Sequence, residues 1–271
     1  MEHHVSGLTH FVNHYLGSLA LALLSALHIH PADSELPIPE HVVMALVVLL
    51  MGTLLALWLR SRLSVERPGG AQQVAEMLLT NPIGFGIRDL LEENAGHEGL
   101  RCVPVVGSIS IFILLSSVLG IFPLFSSPTT EKTVPLACAI LTFFYFNWQG
   151  IRHHGVGGYL KSFAGPVKAL SWLIFPVEII SACSRVLSLT VRLWANIFAS
   201  ELLYVIFLGL LVQPAAWGWS KSPVLGVILG VFPVSIPLIF IGLHLFVSII
   251  QSYVFTLLPS IYIGMATAEE H

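Results

Sequence analysis

An arginine inside an apolar run is the first candidate for chemistry in this chain. Arg192 lies within Ser188–Leu203, where the only other charged side chain is Glu201. Arginine keeps its proton in proteins, so it cannot escape hydrocarbon by becoming neutral. Placing it at the middle of a bilayer costs roughly 2.5–3.5 kcal/mol on insertion scales. Arg192 therefore predicts an ion pathway or a binding site, with its guanidinium facing protein, a partner or a wet cavity.

Other polar side chains share one helix face with this arginine. Together with Arg192, four of them fall within about 40° of one line on an ideal helix, because steps of seven and four return to the same face: Glu178, Arg185, Ser188 and Asn196. Such a stripe on a membrane helix faces a partner or a water-filled cavity. The alternative is a buried ion pair that locks two helices, but two arginines and one glutamate neutralise each other incompletely.

A second polar set is predicted away from the stripe. Glu201 lies about 180° from Arg192 on the ideal wheel, so the two should not share one pocket. His244 and Gln251 are seven residues apart and share a face, with Ser248 between them. A single histidine on an apolar helix is usually a hydrogen-bonded core residue. Its spacing from Gln251, opposite a helix that carries arginine and glutamate, favours a proton relay.

The composition predicts an all-α integral membrane protein that positions these residues. Hydrophobic residues make up 55% and charged residues 10% of 271, against about 25% charged residues in soluble domains. The net charge is −3 and no basic patch occurs, which argues against nucleic acid as a partner. The three cysteines form no Cys-x-x-Cys pair, so neither a disulfide framework nor a zinc site is expected.

Five membrane crossings are predicted. Three are charge-free spans of ordinary length: Val42–Leu59, Val103–Phe125 and Thr133–Ile151. Two more segments, Ala169–Gln213 and Pro223–Ala268, would each be about 65–70 Å long as a helix. Because a bilayer core is about 30 Å thick, each of these two must be broken or cross the membrane at a steep tilt.

The orientation follows from where the basic residues fall. They come after the first span, before the second and after the third: Arg60, Arg62, Arg67, Arg101, Arg152, Lys161 and Lys168. The positive-inside rule makes that side cytoplasmic. The N-terminus is then outside, the C-terminus is cytoplasmic, and Lys221 lies in an outer turn.

Three regions are expected along the chain. Residues 1–40 are His-rich and irregular and should form an outer N-terminal cap. Residues 41–168 hold the first three spans, with an amphipathic stretch at 71–94 that is broken at Asn81-Pro82. This stretch is expected on the inner membrane surface, the alternative being a soluble loop helix. Residues 169–271 form a tilted helical hairpin that provides the proton path.

The chain resembles subunit a of the F-type ATP synthase in the run Val191-Arg-Leu-Trp-Ala-Asn-Ile-Phe-Ala-Ser-Glu201. That family carries Leu-Arg-Leu-Phe-Gly-Asn-Met-x-Ala-Gly-Glu at the corresponding place. The arginine, the asparagine four residues later and the glutamate nine residues later all match. Ala195 and Ser200 replace two family glycines and Trp194 replaces the phenylalanine, so packing against a partner could differ in detail.

The last helix extends the resemblance. Gln251 corresponds to the family's glutamine, and Tyr253-Val-Phe255 to the aromatic residues that follow it. The resemblance is strongest over 178–266, weaker but continuous over 87–166, and negligible over 1–40. It implies a protein of the bacterial inner membrane. Such a subunit needs no cofactor and is not catalytic by itself. Its implied partners are a ring of small rotor subunits, peripheral-stalk membrane subunits, the lipid bilayer and protons.

The resemblance also implies roles for individual residues. Family members form the stator of a rotary proton channel, with two offset half-channels that load and unload carboxylates on the rotor ring. On this basis Arg192 is the proton gate, with Gln251 beside it. The outer half-channel is lined by Asn196, Glu201 and His244. The inner half-channel is lined by Glu178, Ser181, Arg185, Glu269 and Glu270.

Two other functions are compatible with parts of the sequence. A stand-alone secondary transporter or ion channel would use the same buried charges for its substrate. An intramembrane metalloenzyme would use histidines such as His153-His154, His3-His4 or His28 and His30. None of these forms a His-x-x-x-His or His-Glu-x-x-His set inside a span, which disfavours the metalloenzyme.

Overall fold

The architecture is all-helical throughout the part of the chain that the computed structural model describes, namely residues 7–26, 28, 36–81, 84–122, 125, 127–164 and 170–267. Seven α-helices follow one another within these ranges: α1 Gly7–Ala26, α2 Glu40–Ser61, α3 Gly70–Leu79, α4 Ile87–Leu119, α5 Thr133–Ala164, α6 Ser171–Lys221 and α7 Pro223–Thr267. A short 3-10 turn, Pro128–Thr130, precedes α5. Five helices, α2 and α4 to α7, are long and apolar enough to cross a membrane. The predicted all-α fold with five crossings is confirmed.

The last two helices form the long hairpin that the sequence predicts. α6 runs for 51 residues and α7 for 45, with Ser222 as the single residue between them. At 1.5 Å per residue they are about 75 and 70 Å long. Helices of this length fit a bilayer only at a steep tilt or by extending beyond its core. Pro259 does not end α7, which continues to Thr267.

The N-terminal region is more regular than its composition suggests. The expectation of an irregular segment was wrong for Gly7–Ala26, which is a 20-residue helix. Histidine-rich composition is typical of loops, but it does not prevent a helix where no proline interrupts the run. The amide of Asn13 exchanges two hydrogen bonds of 3.0 and 2.9 Å with the backbone of Ile38. This pair fastens the segment before α2 to α1, while the role of the region as an outer cap stays a prediction.

The amphipathic stretch divides where the sequence indicates. α3 ends at Leu79 and α4 begins at Ile87, so the two helices are separate as predicted, while Pro82 lies outside the described residues. After the break, Ile87 and Leu91 are 4% and 0% exposed in a core cluster with Ile263 of α7, whereas Phe85 is exposed. The expected location on the inner membrane surface stays a prediction for the whole stretch.

α4 and α7 approach each other closely through small residues. Ser110 Oγ donates to the Ser252 carbonyl at 2.9 Å, and Ser252 Oγ donates back to the Ser110 carbonyl at 3.0 Å. Thr256 Oγ1 adds a bond of 2.8 Å to Ser110 Oγ. A Cβ on Gly264 would overlap the backbone carbonyl of Asn94. Small residues and interhelical hydrogen bonds drive helix association in membranes, so these contacts fix the rotation of α7 about its axis.

Candidate functional site

The packing of α6 determines where Arg192 points. Leu189, Leu193 and Ile197 repeat every four residues and are 2%, 0% and 1% exposed. They form a core cluster with Phe255 of α7 and residues of α4 and α5. The residues one position earlier, Ser188, Arg192 and Asn196, are all exposed. This part of the polar stripe therefore lies on the outer surface of this chain, because the neighbouring face of the same helix is held in the core.

The two arginines of the stripe have different surroundings. Arg185 Nη2 donates to Glu178 Oε1 at 3.1 Å, and both side chains are partly buried. The Arg185 guanidinium also lies 5.2 Å from the centre of the Tyr262 ring. Arg192 Nη2 donates only a long 3.4 Å bond to Ser188 Oγ. Within the described residues neither arginine pairs with a carboxylate of another helix, so Arg192 keeps an uncompensated charge.

His244 joins three helices. It lies on α7 and is 8% exposed. Its Nε2 lies 3.0 Å from the carbonyl oxygen of Ser117 on α4. Its Nδ1 lies 2.8 Å from Ser200 Oγ on α6. Ser200 was not among the predicted site residues, and the only sequence signal for it was a hydroxyl where the resemblance expects glycine.

Glu201 has its own partner on the short turn before α5. Thr130 Oγ1 donates to Glu201 Oε1 at 2.7 Å. In the same turn, Ser127 Oγ lies 2.8 Å from Thr129 Oγ1 and donates to the Ser116 carbonyl at 3.0 Å. Hydroxyl groups at this turn therefore contact both Glu201 on α6 and the Ser116 carbonyl on α4, which is next to the Ser117 carbonyl that lies against His244. No local pattern in the sequence indicated Thr130.

The remaining predicted site residues are not all brought together. Gln251 is 2% exposed, its Oε1 has no hydrogen-bond partner, and no bond to Arg192 is found among the described residues. Asn196 lies on the exposed stripe, apart from the buried side chain of His244. Ser181 is partly buried on α6. Glu269 and Glu270 lie outside the described residues.

No metal-binding cluster occurs in the described ranges. A group of three His, Cys, Asp or Glu side chains able to hold an ion is not found there. His153 and His154 lie side by side, with ring centres 4.7 Å apart, but two rings without a third ligand are not the donor set of a catalytic metal. The metalloenzyme reading therefore gains no support from the described part of the fold.

Comparison with known proteins identifies the family. A family model described as ATP synthase A chain matches residues 41–264. ATP synthase subunit a of Koribacter versatilis is 35% identical over 263 residues, which cover 97% of each chain. ATP synthase subunit a of Solibacter usitatus is 38% identical over 240 residues, covering 89% of this chain and 92% of the relative. The chain, with its five long apolar helices and its outward-facing Arg192, belongs to the family of subunit a of the F-type ATP synthase.

Proposed function

We propose that this chain is the proton-translocating stator subunit of a bacterial F-type ATP synthase, which couples proton flow to ATP synthesis in the assembled complex. One observation carries the proposal. Arg192 is exposed on α6 and has no carboxylate partner among the described residues, while the adjacent face of the same helix is packed in the core. A permanent cation on the outside of a membrane helix needs a partner that compensates it.

The partner that fits this surface is a rotor helix with a carboxylate. Small side chains lie beside the arginine on α6. Ser188 is one turn before it, and Ala195 and Ala199 follow it. Small residues let two membrane helices approach closely. A carboxylate of a rotor helix could then pass within reach of the guanidinium. We also propose that the chain contacts the membrane subunits of the peripheral stalk.

The charge of Arg192 acts in two ways, on the carboxylate of the rotor and on free protons. A fixed cation favours the ionised form of an approaching carboxylate, so the rotor group releases its proton beside Arg192. The same charge repels protons and blocks a direct leak between the two half-channels. Each elementary charge that crosses the membrane is worth about 2.3 kcal/mol per 100 mV, and a leak would dissipate this energy. The ring must therefore turn for a proton to cross.

Two sets of side chains are assigned to the half-channels. Glu201 and His244, with Asn196, are proposed to line the outer one. This is supported by the short turn before α5, whose hydroxyl groups contact Glu201 and the Ser116 carbonyl, and by the contacts of His244 with Ser117 and Ser200. The inner one is assigned to Glu178, Ser181, Arg185, Glu269 and Glu270. Gln251 is the proposed companion of Arg192, and its buried Oε1 has no hydrogen-bond partner among the described residues. The proposed topology puts the N-terminus outside and the C-terminus in the cytoplasm.

The test uses the complete complex in inverted membrane vesicles. ATP-driven acidification is followed by fluorescence quenching in the wild type and in Arg192→Ala, at equal assembly. Arg62→Ala is the matched control, since Arg62 is exposed at the end of α2 and lies against Trp58. Acidification is expected to vanish only in Arg192→Ala. Normal acidification in that variant would contradict the proposal.

The competing function is a secondary transporter or channel that acts alone. The two functions differ in whether transport needs other subunits. A transporter or channel that acts alone would move its substrate as a purified chain in liposomes, without a rotor ring. We expect no coupled proton transport from the isolated chain. Transport by the isolated chain that Arg192→Ala abolishes would favour this alternative.

A further inference from the structure

Ser200 and His244 form the middle of a buried hydrogen-bond chain with a carbonyl at each end. The first link joins the Ser117 carbonyl to Nε2 of His244 at 3.0 Å. The second joins Nδ1 of His244 to Ser200 Oγ at 2.8 Å. The third joins Ser200 Oγ to the Ile197 carbonyl at 2.8 Å. Because carbonyl oxygens only accept, every hydrogen in this chain must come from the imidazole ring or the hydroxyl.

The number of hydrogens depends on the protonation state of His244. A neutral ring brings one N–H and the hydroxyl brings one O–H, so two hydrogens serve three links. The ring must use its hydrogen at Nε2, since the Ser117 carbonyl cannot donate. The Ser200 hydroxyl then donates to Nδ1, and the Ile197 carbonyl keeps only its bond within the helix. A protonated ring brings two N–H groups, and all three links are then filled.

The same atomic positions serve both states. When a proton binds the lone pair of Nδ1, the new N–H donates to Ser200 Oγ, and the hydroxyl hydrogen turns from Nδ1 to the Ile197 carbonyl. One N–H bond forms with the incoming proton, no covalent bond breaks, and the hydroxyl exchanges its hydrogen bond to Nδ1 for one to the Ile197 carbonyl. Loss of the proton reverses the turn. Only one hydrogen moves, while the imidazole ring and both helices keep their places.

No other side chain described around the imidazole ring exchanges a hydrogen bond with its Nδ1 atom. Ser248 Oγ donates to the backbone carbonyl of His244 at 2.7 Å. α4 contributes Ser116 and Ser117, whose buried hydroxyls have no hydrogen-bond partner in the described part of the chain. The ionisable group that α6 contributes is Glu201, whose carboxylate is held by Thr130 at 2.7 Å. Within the described residues, Ser200 is thus the side chain hydrogen-bonded to the imidazole.

We propose that Ser200 is a positioning residue for proton transfer at His244, whose hydroxyl swivels between Nδ1 and the Ile197 carbonyl as the ring gains and loses a proton. The inference rests on the proposed function, because it assigns Ser200 a part in the outer half-channel. Without the hydroxyl, a protonated ring would hold a buried N–H with no acceptor, which is unfavourable. The relay would then need a lower pH to load the ring.

The experiment measures the initial rate of ATP-driven acidification per assembled complex against pH. In Ser200→Ala we expect a loss of about tenfold near neutral pH, the size expected when a buried donor is left unpaired, and a profile displaced to lower pH. Ser200→Thr keeps the hydroxyl and should restore the profile. Ser248→Ala is the matched control, since it removes a buried serine hydroxyl one turn from the ring, and should behave as wild type. If Ser200→Ala does not assemble, Ser200→Gly replaces it, since the family pattern has glycine there.

The outcomes separate this inference from the proposed function. A wild-type profile in Ser200→Ala or Ser200→Gly, with Arg192→Ala inactive, would overturn the role of Ser200 and leave the stator function standing. Equal losses in Ser200→Ala and Ser248→Ala without a displaced profile would indicate packing and would also overturn it. Acidification that survives Arg192→Ala would overturn the proposed function, and the role of Ser200 with it.

Discussion

Arg192 and Leu193 are neighbours in sequence, but Arg192 lies on the surface of the chain and Leu193 lies in its core. Leu193 is 0% exposed in the core cluster between α4, α5, α6 and α7, whereas Arg192 is exposed. Since α6 cannot rotate without taking Leu193 out of this core, the guanidinium cannot turn inward to find a carboxylate. The charge is therefore presented to whatever covers α6 in the complex.

A lysine should not replace this arginine. Arg192→Lys keeps a long basic side chain, but a lysine can lose its proton when desolvated and lacks the planar donor group. We expect coupled ATP-driven acidification to fall to background, measured in inverted vesicles at equal assembly. Arg62→Lys provides the control for a lysine at an exposed position of another helix. Normal coupled pumping in Arg192→Lys would exclude the proposed gate.

Arg185 should matter less than Arg192. Its charge is compensated by Glu178 at 3.1 Å on the same helix, so removing it should change the inner path locally and leave the gate intact. We expect Arg185→Ala to retain measurable pumping, with a rate lowered several-fold, where Arg192→Ala has none. An Arg185→Ala complex as inactive as Arg192→Ala would reverse this ranking.

Glu201 should set the rate of transport but not its coupling. Glu201→Gln keeps an oxygen that accepts the bond from Thr130 and removes the ability to exchange a proton. We expect slower acidification with an unchanged ratio of protons moved to ATP hydrolysed. Thr130→Val serves as the comparison, because it removes the hydrogen bond and keeps the carboxyl group. Unchanged turnover in Glu201→Gln would leave this residue a structural role only.

A methyl group at Gly264 should loosen the α4–α7 contact. The added Cβ in Gly264→Ala would overlap the Asn94 carbonyl, and overpacking of this kind typically costs about 1–3 kcal/mol. We expect less assembled complex and a lower melting temperature in detergent. Gly242→Ala is the matched control on the same helix, since its Cβ would meet no atom within 4 Å. Equal stability of the two variants would mean that the close approach is not needed.

The sequence alone determined the local features of this protein. Charge-free runs and their lengths predicted α2, α4, α5 and the long hairpin of α6 and α7, because helix formation and membrane crossing depend on residues close in the chain. The residue steps of seven and four placed Glu178, Arg185 and Arg192 on one face for the same reason. The ion pair of Arg185 with Glu178 lies within one helix, so it could be predicted from the sequence.

The tertiary structure alone decided the contacts between helices. Thr130 meets Glu201 across 71 residues, Ser200 meets His244 across 44, and Ser110 meets Ser252 across 142. It also packed Ile87 and Leu91 in one cluster with Ile263 of α7, a contact that the sequence did not indicate. Periodicity defines the faces of a helix, but the neighbour that each face meets depends on helix rotation and axial position. Those are set jointly by distant packing contacts, such as Gly264 against Asn94, which no local pattern encodes.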